Sequence, residues 1–164
     1  MIKKSYDLLF VTHINAFYKV NLYNEISKNK KIFVIFLSTK SSIRQGDFCK
    51  EHINFEHVFL SKDSLEESYG FLNSLKILNI LIKFKCSHIL INGWDRLEFW
   101  IVALLSFFKA DLSLVCESHK TGKYLVIKKI MLALCDSVFA SGKMHRAMIR
   151  KLNRKIKVYI TNGV

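Results

Sequence analysis

Short apolar runs alternate with longer stretches that repeat apolar residues every three or four positions, and this alternation continues along the whole chain. Tyr6–Val11, Lys31–Leu37, Glu56–Leu60, His88–Asn92, Leu112–Cys116, Ser137–Ala140 and Ile156–Ile160 are too short for helices, and several are rich in Ile, Val and Phe, so they predict strands. Between them, Ala16–Asn29, Leu72–Phe84, Asp95–Phe108, Tyr124–Leu134 and Gly142–Leu152 predict helices. In the first helix, Phe17, Val20, Tyr23, Asn24 and Ser27 recur at helical spacing. In the second, Leu72, Leu75, Leu78 and Ile82 form the apolar repeat, with Lys76 and Lys83 on other faces. Thr39–Glu51 is polar and contains Gly46, which predicts an exposed loop or a short irregular helix.

The stretch from Cys86 to His119 organises the rest. It places one predicted helix between two apolar strands, the pattern of a right-handed βαβ unit in a parallel sheet. The whole chain then reads as a doubly wound, mostly parallel α/β sheet in a single domain spanning residues 1–164. With a strand order of 3-2-1-4-5, winding reverses between the first and fourth strands. The turns His13–Lys19 and Gly93–Arg96 then form two walls of a crevice at the carboxyl ends of the strands, beside Glu117-Ser118-His119. Helix N-termini there offer N–H groups to an anionic ligand, and Lys19 and Arg96 are expected to add positive charge.

Composition narrows the function classes. A chain of 164 residues, 51% apolar and 24% charged, suits one globular core. No amino-terminal signal pattern is read, and the longest uncharged apolar run, Phe99–Phe108, is about half the length of a spanning helix. Cys49, Cys86, Cys116 and Cys135 are widely spaced and read as reduced core thiols of a cytoplasmic protein. The net charge is +13, and the stretch from Lys120 to Val164 holds eleven Lys or Arg against one acid, Asp136. A solvated face, attraction to anionic lipid and attraction to nucleic acid phosphates all fit that surplus.

Several chemistries lack their motifs. No GxGxxG follows the first strand and there is no GxxxxGK[ST], so neither a dinucleotide fingerprint nor a P-loop is read. No HExxH or other metal spacing links the histidines, and no GxSxG elbow occurs. The candidate rim is therefore His13, Asp95, Arg96, Glu117 and His119.

Five segments resemble, in order, the amino-terminal half of a GT-B glycosyltransferase of the family 4 type. Phe17-Tyr18-Lys19-Val20-Asn21-Leu22-Tyr23-Asn24-Glu25 resembles the segment after that family's first strand, and Ile91-Asn92-Gly93-Trp94-Asp95 its glycine turn. Glu117-Ser118-His119 resembles the family's strand end. Cys135–Gly142 and Ile156–Val164 resemble the two segments leading to its interdomain hinge.

The resemblance implies a Rossmann-like acceptor-side domain and a retaining transfer of a sugar from a nucleotide-sugar to a glycan or lipid-linked acceptor, in cell-surface polysaccharide synthesis. It implies no metal and no cofactor beyond the nucleotide-sugar co-substrate. His119 would act near the leaving phosphate, donating a hydrogen bond to developing charge. His13, Asn15 and Lys19 would line the acceptor cleft, with Lys19 suited to a pyrophosphate. Asp95 and Glu117 would accept hydroxyls and Trp94 would stack on a sugar ring, with Gly93, Arg96 and Ser118 completing the binding set. Lys143, Arg146, Arg150, Lys151 and Arg154 would face the membrane, placing the protein peripherally on the inner face of the plasma membrane. The family's donor-binding half would begin where this chain stops, at Asn162-Gly163-Val164, so the chain is expected to need a separately encoded donor-binding domain. A non-catalytic acceptor- or membrane-binding subunit, or a truncated relic, stays open beside this reading. A basic nucleic-acid-binding module stays open as well, less favoured because the cations are not interleaved with exposed aromatics.

Overall fold

The computed structural model describes residues 4–43, 49, 51–106, 110–117 and 124–161. Their elements run β1 (Lys4–Thr12), α1 (Phe17–Ser27), β2 (Ile32–Lys40), β3 (Glu56–Ser64), α2 (Gly70–Lys83) and β4 (Phe84–Ile91). They continue with α3 (Leu97–Ser106), β5 (Asp111–Cys116), α4 (Leu125–Leu134), β6 (Ser137–Ala140), α5 (Lys143–Leu152) and β7 (Lys157–Ile160).

The strands form one seven-stranded sheet in the order β3-β2-β1-β4-β5-β6-β7, with every pair parallel. The doubly wound α/β architecture read from the sequence is the architecture found. Central strands are apolar on both faces because both are covered. On β1, Leu9 and Val11 join one core with Ile89 and Ile91 of β4, while Phe10 points the other way, into a second core with Val34 and Phe36 of β2. Helices α2 to α5 pack on the first core through residues such as Ile77, Phe99, Leu132 and Ile149. Helix α1 covers the second through Val20 and Tyr23.

Two boundaries differ instructively from the hydropathy pattern. Strand β3 continues past Leu60 to Ser64, although Ser61, Lys62 and Asp63 are polar. It is an edge strand, so among the described residues one side of its ladder meets no other strand, and polar residues fit there while Ser38 and Lys40 of β2 pair with Ser61 and Ser64. Strand β4 starts at Phe84, directly after α2, because Tyr6 and Phe33 both pack edge-on against Phe84 and hold the strand's start against the core.

Helix α2 overturns the expected face. The repeat Leu72, Leu75 and Ile82 is exposed, and the residues turned to the core are Asn73, Ser74, Ile77 and Leu81. Tertiary contact explains the choice. The N-terminal turns of α2 and α3 approach closely, the Asn73 amide donates to Glu98 Oε1 at 3.3 Å, and a side chain at Gly70 would meet that carboxylate at 3.3 Å. Likewise, Phe17 opens α1 on an exposed position, and only Val20 and Tyr23 of its predicted stripe are buried.

Candidate functional site

The carboxyl ends of β1, β4 and β5 open a cleft of about 350 Å³ lined by His13, Asn92, Gly93, Trp94, Asp95, Glu117 and the β5 residues Leu114 to Cys116. It lies where the winding of the sheet reverses, between β1 and β4 and beside β5. Backbone bonds fix its walls: Asn92 N–H donates to Val11 O at 3.1 Å, and Ser38 N–H donates to His13 O at 3.0 Å.

His13 and Asp95 close one wall. The His13 Nε2 atom lies 3.2 Å from Asp95 Oδ1 and 3.1 Å from Oδ2, joining the segment after β1 to the segment after β4. The imidazole also sits edge-on to Phe99, with ring centroids 4.9 Å apart. Burial is the largest single influence and would raise the Asp95 pKa, but the hydrogen bond to His13, attraction to that ring, the backbone N–H of Asp95 and the charge of Arg96 together hold the carboxyl below its ordinary value. Gly93 makes the wall possible. Its φ is +139°, and a Cβ there would stand 2.6 Å from Asp95 Oδ1 and 3.5 Å from the His13 ring.

Glu117 forms the other wall. The Asn92 amide donates to its Oε1 at 3.0 Å, and Lys19 Nζ lies 3.5 Å from the same oxygen. Lys19 is buried beneath the rim, where its ammonium donates to Thr12 Oγ1 at 3.2 Å. Tyr23 bonds the same threonine side chain, and burial drives the Tyr23 phenol well above its ordinary pKa. The Glu117 carbonyl is held from α5 by His145 Nε2 at 3.2 Å. The carboxylates of Asp95 and Glu117 remain about half exposed, with side-chain accessibilities of 57% and 50%.

Trp94 is half-buried beside them. Its carbonyl accepts from Trp100 Nε1 at 3.0 Å, and Lys128 of α4 places its ammonium 4.9 Å from the indole ring. Lys128 and Asn92 both shape this wall and neither is legible as a site residue from spacing. Asn92 stands next to the glycine turn in the sequence, the one local signal that could have found it.

The structure separates two residues from the set the sequence suggests. Arg96 turns away from the cleft and donates to Leu65 O at 3.2 Å, to Ser68 Oγ at 2.8 Å and to the buried Glu98 Oε1 at 3.1 Å, tying the β3–α2 connection to α3. The Asn15 amide donates to Cys49 O at 3.2 Å and lies outside the cleft lining. Lys19 does reach the site, but from below and through Glu117. Positive charge from Lys19 and Arg96 is therefore not displayed at the cleft mouth as the sequence suggested. Ser118 and His119 lie outside the described residues. Among the described residues, no group of three or more His, Cys, Asp or Glu is placed to hold a metal ion.

Compared with protein-family models and with curated proteins, the chain matches none. The site must be interpreted from its own chemistry. Two half-exposed carboxylates offer acceptor oxygens, His13 adds a ring nitrogen, and Trp94 adds an aromatic surface. Hydroxyl donors on a compact, partly apolar ring suit such a lining.

Proposed function

We propose that the chain is the acceptor-side domain of a glycosyltransferase, binding a sugar of a glycan or lipid-linked acceptor at the β1/β4/β5 rim. The observation that carries this reading is the pair of half-exposed carboxylates, Asp95 and Glu117, each held by a neighbouring basic side chain, His13 or Lys19, beside the Trp94 indole. A carboxylate fixed on one side by His13 or Lys19 keeps lone pairs for sugar hydroxyls, and an indole next to it covers the apolar face of a pyranose. The ordered resemblance of the five segments to the family 4 pattern supports the same reading and adds the reaction: retaining transfer from a nucleotide-sugar, with His119 near the leaving phosphate. The donor is bound by a second domain, encoded with this chain or separately.

The second reading, binding of the acceptor without transfer, is favoured by the same cleft. It differs in needing no donor domain. The first test is binding of the chain to an array of natural and synthetic glycans, followed by titration of each hit. Sugar binding that Asp95→Asn and Glu117→Gln each weaken at least about tenfold supports the site. No binding, or binding untouched by either substitution, overturns it. Transfer is then tested by adding a nucleotide-sugar and a donor-binding domain: turnover lost on His119→Ala supports the enzyme, and unchanged turnover removes His119 from the mechanism.

A further inference from the structure

The outer surface of the α2, α3 and α4 layer carries most of the large apolar side chains left exposed among the described residues. Phe71 is 67% exposed and Val126 69%, and Leu72, Leu75, Leu104 and Ile130 are each about half exposed. The three helices are neighbours that pack on one face of the sheet, so these residues share one outward side. A patch of this kind on a folded domain marks an interaction surface.

Charge decides what it meets. The sole carboxylate on α2 to α5 is Glu98, which is fully buried and paired with Arg96. The exposed charges of these helices are cations: Lys76 and Lys83 on α2, Lys129 on α4, and Lys143, Arg146 and Lys151 on the adjoining α5. A second copy docked face to face would set cations against cations. An anionic lipid surface satisfies both properties, since apolar side chains enter the acyl boundary while flanking ammonium and guanidinium groups meet phosphates. No described helix is long and apolar enough to cross a membrane, so the helices would lie in the interface plane.

We propose that the outer face of α2, α3 and α4 seats the protein on an anionic lipid bilayer, with the cations of α5 on its flank. The sequence pointed to α5 alone; exposure moves the inserting surface to the apolar helices beside it. This inference does not rest on the sugar-transfer reading, because vesicle binding is measured without donor or acceptor.

The test is sedimentation of the full chain with vesicles of phosphatidylcholine alone and of phosphatidylcholine and phosphatidylglycerol in equal parts. The expected result is strong binding to the mixed vesicles and weak binding to the neutral ones. The double variant Leu72→Glu, Val126→Glu changes exposed positions only, and a circular dichroism spectrum checks that it is folded. It should lower partitioning at least about tenfold. Lys143→Glu with Arg146→Glu should reduce the preference for the anionic vesicles. Equal binding to both vesicle types overturns the proposal, as does full binding by the Leu72→Glu, Val126→Glu variant. A dimer in lipid-free solution that this variant dissociates assigns the face to a second copy and also overturns it. So does duplex DNA binding that the variant retains while vesicles bind neither protein.

Discussion

His13 Nε2 lies 3.1 Å from Asp95 Oδ2, bridging the segments after β1 and β4 at the point where the sheet's winding reverses. Because Asp95 titrates below its ordinary value of 3.8, its contribution to stability is present above that value and is lost as pH falls through the lower, folded-state value. Asp95→Asn should therefore cost less than about 1 kcal/mol at neutral pH, as expected for a partly solvated pair. Urea denaturation of both proteins checks this, with the difference shrinking as pH falls through the lowered, folded-state value.

Gly93 should tolerate no side chain. Gly93→Ala combines a left-handed φ of +139° with a Cβ placed 2.6 Å from Asp95 Oδ1. A loss of about 1–3 kcal/mol is expected in urea denaturation. Adding Asp95→Ala to that variant should relieve the clash and leave the backbone strain, so part of the loss should persist.

Arg96 should matter for folding more than for ligand binding. Its guanidinium is the cation paired with the fully buried Glu98. Arg96→Ala strands that carboxylate and should cost about 3–5 kcal/mol, whereas Arg96→Met with Glu98→Leu should recover most of the loss. Glycan affinity measured on the double variant should stay near that of the wild type, since Arg96 does not line the cleft.

Cys135 should be chemically silent in the folded protein. Burial and, secondarily, the charge of Asp136 push its thiol up to about 12, so almost no thiolate exists near neutrality. Iodoacetamide labelling followed by peptide mass mapping should leave Cys135 unmodified until denaturant is added. Labelling at the rate of a free thiol would contradict the burial.

The order of elements and the position of the crevice were determined by the sequence alone. Parallel strands buried on both faces must be apolar runs, as in Ile32–Leu37 and Ile89–Ile91, and the intervening helices separate them clearly. A winding reversal then brings the ends of β1, β4 and β5 together, so His13, Gly93 to Asp95 and Glu117 could be named as neighbours. Side-chain direction was a different matter. Helix α2 is apolar around most of its circumference, so periodicity could not choose between Leu72, Leu75, Ile82 and Ile77, Leu81 as the core face. The close approach of Gly70 and Asn73 to Glu98 chose. Arg96 and Lys19 read as cations at a rim, but a long side chain follows its nearest acceptors. Glu98 drew one away from the cleft and Thr12 with Glu117 drew the other beneath it, and only the packed structure sets those distances.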